Sequence, residues 1–400
     1  MMILRGRRLL LPAVAALSIA TSCGGTERGD AAADASTDAM DSSADASMDA
    51  SIDTLADAAT DVSADADAGT RGWAVLSLNL HCLETDGTGF ADNTARFAAI
   101  ARDAVENGVR AMLLQEVCDD GTTDALALLE SALESESGGD WRSAYAFAHV
   151  AWEGTPREAD EGVAILADAE LEAAMSFTHH AQGSLRRVML HASLPDALRN
   201  LTLTTFHLDH EDAAVRGVQA RELATAALLH GGVSNALLAG DLNDLEGSAA
   251  HDALLSAGYR DASESLRASR IDHVFIHRGA SYDPTSAELL WDGPSDRVSD
   301  HPGVLVRLAQ SDRSWIEPTV VELEVDAGFG NTVFVRGDQA PLDWDEGWPA
   351  LNTSASLWRF ATTELSGTFE YKALRNDTDW STGDNFIGSS GVTNRETVSF

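Results

Sequence analysis

Short apolar runs that end in acidic, amide or imidazole residues constrain this chain more than any other feature. Four such strings occur in a fixed order: Ser77-Leu78-Asn79, Leu114-Gln115-Glu116-Val117, Gly240-Asp241-Leu242-Asn243-Asp244 and Ser299-Asp300-His301. Three of them follow, or sit at the end of, a run that reads as a buried strand. Amphipathic helical patterns separate some of these runs, while other strands follow one another directly. That mixture predicts a layered α/β sandwich rather than a purely parallel sheet.

The spacing predicts strands at Trp73–Leu80, Val109–Leu114, Ala144–Val150 and Gly162–Leu166. Arg187–Leu194 and Leu201–Leu208 read as an antiparallel pair joined by the Pro195–Asn200 turn. Further strands are expected at Ala236–Ala239, Ile271–Ile276 and Pro302–Leu308. Helical periodicity covers Asn93–Glu106, Thr123–Leu133 and Ala213–Leu229. Beyond about Gln310 the character changes to short strands, aromatics and turn residues, which predicts a separate small β-sandwich over 318–400.

The first seventy residues read differently. Met1–Ser22 has basic residues (Arg5, Arg7, Arg8), the apolar run Leu9–Ala20 and small residues before Cys23, the layout of an export signal. That run is too short for a comfortable membrane span. The ending Ala20-Thr21-Ser22-Cys23 resembles the bacterial lipobox, with Ala where Leu is usual. It implies lipid attachment at Cys23, the alternative being an ordinary cleaved leader. Residues 26–70 are nearly all Ala, Asp, Ser and Thr, with Asp recurring about every four residues. On a helix those carboxylates would stack and repel, and little apolar surface is there to bury. We therefore expect 23–70 to be a disordered tether with a reach of roughly 35–40 Å. Export places the protein in the bacterial cell envelope or outside the cell, meeting the membrane through its N-terminal lipid only.

The net charge is −37. Within 71–310, 17 Arg stand against 37 Asp plus Glu, a balance of −20. Such a surface opposes strong nucleic-acid binding, which depends on basic side chains displacing counterions. It does not exclude a nuclease, because a bound metal supplies local positive charge. Besides Cys23, only Cys82 and Cys118 are present. Each lies just past a motif residue, so neighbouring strands would let them meet. In an oxidising compartment a disulfide is expected; two separate buried thiols are the alternative.

Hydrolysis of a phosphoester needs a cation at the phosphoryl oxygens, an activated water and stabilisation of the leaving oxygen. Asn79, Glu116, Asp241, Asn243 and Asp300 are hard oxygen donors of the kind Mg²⁺ prefers. His207 and His301 supply imidazoles suited to proton transfer or phosphoryl binding. Each string alone fits a turn or a cap equally well. Their joint order does not.

Together the strings resemble the endonuclease/exonuclease/phosphatase superfamily, the DNase I-like fold, over 71–310. The resemblance implies a four-layered α/β sandwich and a metal-dependent hydrolase using Mg²⁺ or Mn²⁺. It implies that Asn79, Glu116 and Asp300 serve the metal. His207, in Thr205-Phe206-His207-Leu208, would bind the scissile phosphate. Asp241 and Asn243 would orient nucleophile and phosphate, Asp272 would orient the catalytic histidine, and His301 would act as general base. Glu161, opening Glu161-Gly162-Val163-Ala164-Ile165-Leu166, would belong to an outer site. Arg216 and Gln219 match a recurrent helix pattern and suit packing. Asp209 and His210 read as a surface loop, and His179-His180 as structural.

Residues 330–400 resemble a starch-binding carbohydrate module of the glucoamylase type, with an immunoglobulin-like sandwich fold. The resemblance rests on Asn331–Gly337, Leu342-Asp343-Trp344-Asp345, Trp358, Gly367–Lys372 and Trp380–Asn385. It implies an α-glucan site at Trp344, Lys372 and Trp380, where indoles stack on sugar faces and the ammonium donates to hydroxyls. Lys372 is the only lysine in the chain. The pattern departs at Phe386–Thr393, read as an inserted loop beside that site. The expected function is an exported phosphodiester hydrolase with a glucan-binding module. The alternatives are an extracellular endonuclease and a non-catalytic carbohydrate-binding surface lipoprotein.

Overall fold

The computed structural model describes residues 9–10 and 73–400, apart from positions 233 and 268. The expected leader, Cys23 and the Asp-rich tether therefore lie outside the described residues, save for the two-residue strand β1 (Leu9–Leu10). Two sheets form the larger part of the protein. The first contains β1, β2 (Trp73–Asn79), β3 (Val109–Asp119), β4 (Arg142–Ala151), β5 (Ala159–Ala167), β12 (Tyr282–Leu290) and β13 (Gly303–Gln310). Its strand order is β1-β4-β5-β3-β2-β13-β12. The second contains β6 (Glu172–Thr178), β7 (Val188–Ser193), β8 (Thr202–His207), β9 (Ala236–Asp241), β10 (Tyr259–Asp261) and β11 (Asp272–His277), in the order β10-β11-β9-β8-β7-β6.

Alternation along each strand explains why these runs are apolar throughout. Val75, Leu113 and Ile165 face Leu190, Leu203, Leu237 and Val274 between the two sheets. Their neighbours Leu76, Met112 and Leu166 point the other way, onto Phe97, Ile100, Leu126 and Leu129 of helices α1 (Asn93–Glu106) and α2 (Ala125–Ser137). On the far side, Phe206, Leu238 and Phe275 pack under α3 (Ala213–Gly231) and α4 (Ala249–Ser256). Strands buried on both faces lose the polar alternation of a half-solvated sheet. The layers are helix, sheet, sheet, helix, the DNase I-like arrangement. Asp92, Asp124, Asp212 and Ser248 cap the helix starts with side-chain oxygens.

Several elements were not legible from periodicity, the 3-residue β10 among them. β6 is a half-exposed edge strand, and β12 is an edge strand carrying Pro284 and a register shift, so neither has a clean apolar pattern. Helix α4 spans 8 residues, too few to establish a helical period.

The C-terminal region adds two further sheets. One is β17 (Leu351–Ser354), β18 (Leu357–Thr362), β14 (Thr319–Glu324) and β22 (Thr393–Thr397). The other is β16 (Trp348–Pro349), β15 (Val333–Gly337), β19 (Thr368–Arg375) and β20 (Asp379–Trp380), with β21 (Phe386–Ser389) also pairing β19. Half of the expected Phe386–Thr393 loop is thus a strand. Val321, Leu323 and Phe360 meet Val335, Phe369 and Tyr371 in a core continuous with that beneath α3. Buried Arg221 of α3 donates to Gly347 O at 3.3 Å and pairs with Glu346. Among the described residues, no helix is long and apolar enough to cross a membrane.

Candidate active site

Strand pairing brings the motif residues to one edge of the sandwich. β2 and β3 run parallel with Asn79 opposite Gln115, and β8 and β9 run parallel with His207 opposite Asp241. β11 runs antiparallel to β9 and sets Asp272 opposite Asp241. The carboxyl ends of four strands therefore converge with the start of a fifth.

Asn79 is fully buried and ties three groups together. Its Nδ2 donates to Glu116 Oε1 at 2.9 Å and to Asp241 Oδ2 at 3.2 Å, and its Oδ1 accepts from His81 N. Glu116 sits at a register shift between Leu114 and Val117, with φ of +48°. A bulge there turns the carboxylate out of the ladder. The preceding Gln115 is pinned inward, its Nε2 donating to Thr205 Oγ1 at 2.9 Å.

Asp241 Oδ1 accepts from Asn243 N at 2.7 Å. Asn243 itself has φ of +52°, a conformation asparagine tolerates well, and its Nδ2 donates to Leu208 O. Burial pushes the Asp241 carboxyl up to about 7, with the Asp272 charge adding to it. His301 Nδ1 donates to Asp272 Oδ2 at 2.8 Å and lies 3.9 Å from Asp241 Oδ2. Burial works against its charge. The Asp272 hydrogen bond and the charges of Asp272, Asp241 and Asp300 outweigh burial and raise it to about 10.

Asp300 occupies the outer rim, half-exposed, 3.4 Å from His81 Nδ1. Ser299 Oγ donates to Asn79 O at 2.7 Å and accepts from His301 N, which locks this turn onto β2. Glu161 lies on the other side, where burial and then the Glu116 charge lift its carboxyl to about 7. It lines a crevice with Arg187 and His207. Cys82 and Cys118 are joined by a disulfide next to Glu161, linking the loop after β2 to β3 just beyond Glu116.

Further residues support the site, and two of them, Arg96 and Arg187, carry no sequence signal. Arg96 of α1 is fully buried and donates to the carbonyls of Leu80, Cys82, Glu84 and Val298, binding the loops on both sides of Asn79. Arg187 reaches His207, at 3.1 Å. Arg216 and Gln219 brace the site from α3: Arg216 pairs with Asp244 at 3.0 Å, and Gln219 Oε1 accepts from Asp209 N. Asp209, expected in a surface loop, is instead fully buried, its carboxylate accepting from the amides of Glu211 and Asp212 ahead of α3. His179 and His180 both contact buried Glu222, away from the cluster.

The match to the family model spans residues 41–301 and carries the description Endonuclease/Exonuclease/phosphatase family. The chain belongs to that family. Its members are phosphoester hydrolases, typically metal-dependent. Solved structures resemble it at low identity. A family protein from Beutenbergia cavernae is 15% identical with a TM-score of 0.48, covering 80% of this chain and 100% of its own. A mannosyl-6-phosphatase from Bacteroides thetaiotaomicron is 19% identical with a TM-score of 0.44, covering 59% and 99%. The human Nocturnin catalytic domain with bound sulfate is 15% identical with a TM-score of 0.48, covering 60% and 94%. No curated protein matches the chain.

At the C-terminal region, Trp344 and Trp380 lie with ring centroids 6.3 Å apart, and Trp380 is 42% exposed. Arg336 stands 5.5 Å from the Trp380 ring and donates to Trp344 O. Lys372 Nζ donates to Gly383 O at 2.5 Å, in the loop after Trp380.

Proposed function

We propose that this protein is an exported, metal-dependent phosphoesterase that hydrolyses phosphodiesters, with a C-terminal module of immunoglobulin-like fold that binds α-glucan. The observation that carries the catalytic reading is the Asn79–Glu116–Asp241–Asp272–His301 cluster. Its donors are hard oxygens, buried Asp272 Oδ1 has no partner, and burial, with the Asp272 charge added, holds Asp241 above its usual range. Such a centre fits a divalent cation, with Glu116, Asn79 and Asp300 as its holders. Mg²⁺ or Mn²⁺ bound there would offset charge on the phosphoryl oxygens.

The chain's own groups divide the remaining work. Asp241, poised near neutrality, takes the proton of the attacking water. His301, which the family resemblance makes the general base, is held charged by Asp272 and so donates to a phosphoryl oxygen as negative charge develops instead. His207 and Asn243 hold the other oxygens. Export, with lipid at Cys23, rests on the leader pattern. Glucan binding rests on the tilted indole pair with Lys372 beside it. A small or surface-exposed phosphodiester suits the acidic surface better than DNA does.

Parallel assays on bis-p-nitrophenyl phosphate, p-nitrophenyl phosphate, sphingomyelin and plasmid DNA, with Mg²⁺ or Mn²⁺, test the substrate class. Faster turnover of the monoester than of any diester would overturn it, and DNA as best substrate would favour the endonuclease alternative. Amylose retention that persists in Trp380→Ala would remove Trp380 from the sugar site.

A further inference from the structure

His207, through Nε2, and His301, through Nδ1, both lie within 4 Å of Asp241 Oδ2, yet the Nδ1 atoms of the two rings meet opposite chemistry. His301 Nδ1 points at the Asp272 carboxylate, an acceptor. His207 Nδ1 lies 3.1 Å from Arg187 Nη1, a donor. A guanidinium has no acceptor, so the hydrogen in that contact belongs to Arg187 and the His207 Nδ1 lone pair receives it. The proton of the neutral ring then sits on Nε2, 3.6 Å from Asp241 Oδ2. A second imidazole repeats the pattern, with His210 Nδ1 at 3.3 Å from Arg187 Nη2.

We propose that Arg187 is a positioning residue that fixes His207 as a neutral Nε2–H donor, so that the two active-site histidines carry their protons differently and do different work. The proposal deepens the phosphoesterase reading and rests on it for its kinetic consequence. With its basic nitrogen occupied, His207 cannot take a proton from water. It can only donate a hydrogen bond, and its Nε2 is free to give it to a phosphoryl oxygen when substrate is bound. His301 keeps its Nε2 for the reacting groups.

The surroundings support this arrangement. Arg187 is buried, with a side chain only 4% exposed, and Glu161 is 4.0 Å away, so no carboxylate hydrogen bond draws the guanidinium off the ring. The charged and titratable groups around His207 are Arg187, Glu161, His149, His210, Asp241 and His301. Burial first, and then the Arg187 charge, push its imidazole well below the usual range. Placement follows from the sheet: Arg187 immediately precedes β7, which pairs with β8, the strand that His207 ends.

Long-range ¹H–¹⁵N NMR of the histidine rings tests this without relying on turnover, with the His207 signals assigned by His207→Gln. In the wild type, Nδ1 should show the shift of a bare acceptor nitrogen and Nε2 that of a protonated one, unchanged from about pH 5.5 to about 8.5. Arg187→Met should let His207 titrate or mix tautomers, and lower kcat about tenfold to a hundredfold with less change in KM. Arg187→Lys should restore the tautomer in part, since an ammonium also donates. A protonated Nδ1 or a titrating His207 in the wild type would overturn the proposal, and that reading needs no variant to fold. An Arg187→Met protein with unaltered tautomer and kcat would overturn it too. The expected tautomer without any phosphoester turnover would instead count against the enzymatic reading alone.

Discussion

His301 Nδ1 lies 2.8 Å from Asp272 Oδ2, and this contact holds the imidazole charged in a mostly buried site. Replacing the acceptor separates the charge from the geometry. Asp272→Asn should bring the His301 pKa down from about 10 towards or below the ordinary histidine range. Turnover should fall about 10²-fold or more. NMR titration of the His301 ring alongside phosphodiesterase kinetics checks both. A His301 that stays charged above pH 9 in the variant would show that Asp272 is not its main support.

The same pair sets how stability depends on pH without metal. His301 is raised in the folded state, so its contribution is fully present below the unfolded pKa of about 6.5 and is lost as pH rises through about 10. Asp241 is also raised, to about 7 against about 3.9 unfolded, so its ionisation opposes folding across that interval. Both terms have one sign. Denaturant midpoints of chelator-treated protein should fall steadily from about pH 5 to about pH 10, and Asp241→Asn should flatten the lower half of that slope.

How much of this site the sequence discloses depends on where each partner comes from. Asn79 and Asp241 end local apolar runs and His301 stands just ahead of one, so their strings can be read in place. Glu116 is legible as a residue, but its exposure depends on a register shift between β3 and β5, which involves a strand over forty residues away. Arg96 and Arg187 could not be read at all. An arginine on a helix face or at a strand start is ordinary, and only the packed sheets reveal which carbonyls or imidazoles it meets. Helix α3 was expected from its periodicity. Its role as the seat of the C-terminal sheets was not, because buried Arg221 and its partner Glu346 are 125 positions apart.

Metal binding should relieve the surplus charge at the centre. A divalent ion at a hundredfold excess over its Kd should stabilise the protein by about 2.7 kcal/mol, seen as a rise in Tm with Mg²⁺ or Mn²⁺. The rise should be greater at pH 8 than at pH 5, where Asp241 is protonated. Glu116→Gln should abolish most of it. A Tm indifferent to both ions at pH 8 would contradict the metal assignment.

Behind β9 lies a second buried charge cluster with a different task. Asp261 accepts from His273 Nδ1 at 3.0 Å and from Arg270, with His251 Nε2 at 3.4 Å, and His273 Nε2 donates to Asp244 O at 3.2 Å. Burial opposes its ionisation, but the His251 and His273 hydrogen bonds hold its carboxyl well below the usual range. Every ring nitrogen here is already engaged, which marks a brace for the Asp241–Asp244 loop rather than a metal site. Asp261→Asn should cost about 3–5 kcal/mol, as breaking a buried ion pair does. Glu170→Gln, which breaks an exposed pair with Arg142, should cost less than about 1 kcal/mol. Urea unfolding of the two variants makes the comparison.

The central claim is that the cluster around Asp241 hydrolyses phosphoesters. Initial rates on bis-p-nitrophenyl phosphate with Mg²⁺, for the wild type and Asp241→Asn at matched folding by circular dichroism, test it most directly. The account predicts turnover that a chelator abolishes and that the variant loses by about 10²-fold or more. Equal rates in the two proteins, or rates indifferent to the chelator, would contradict it.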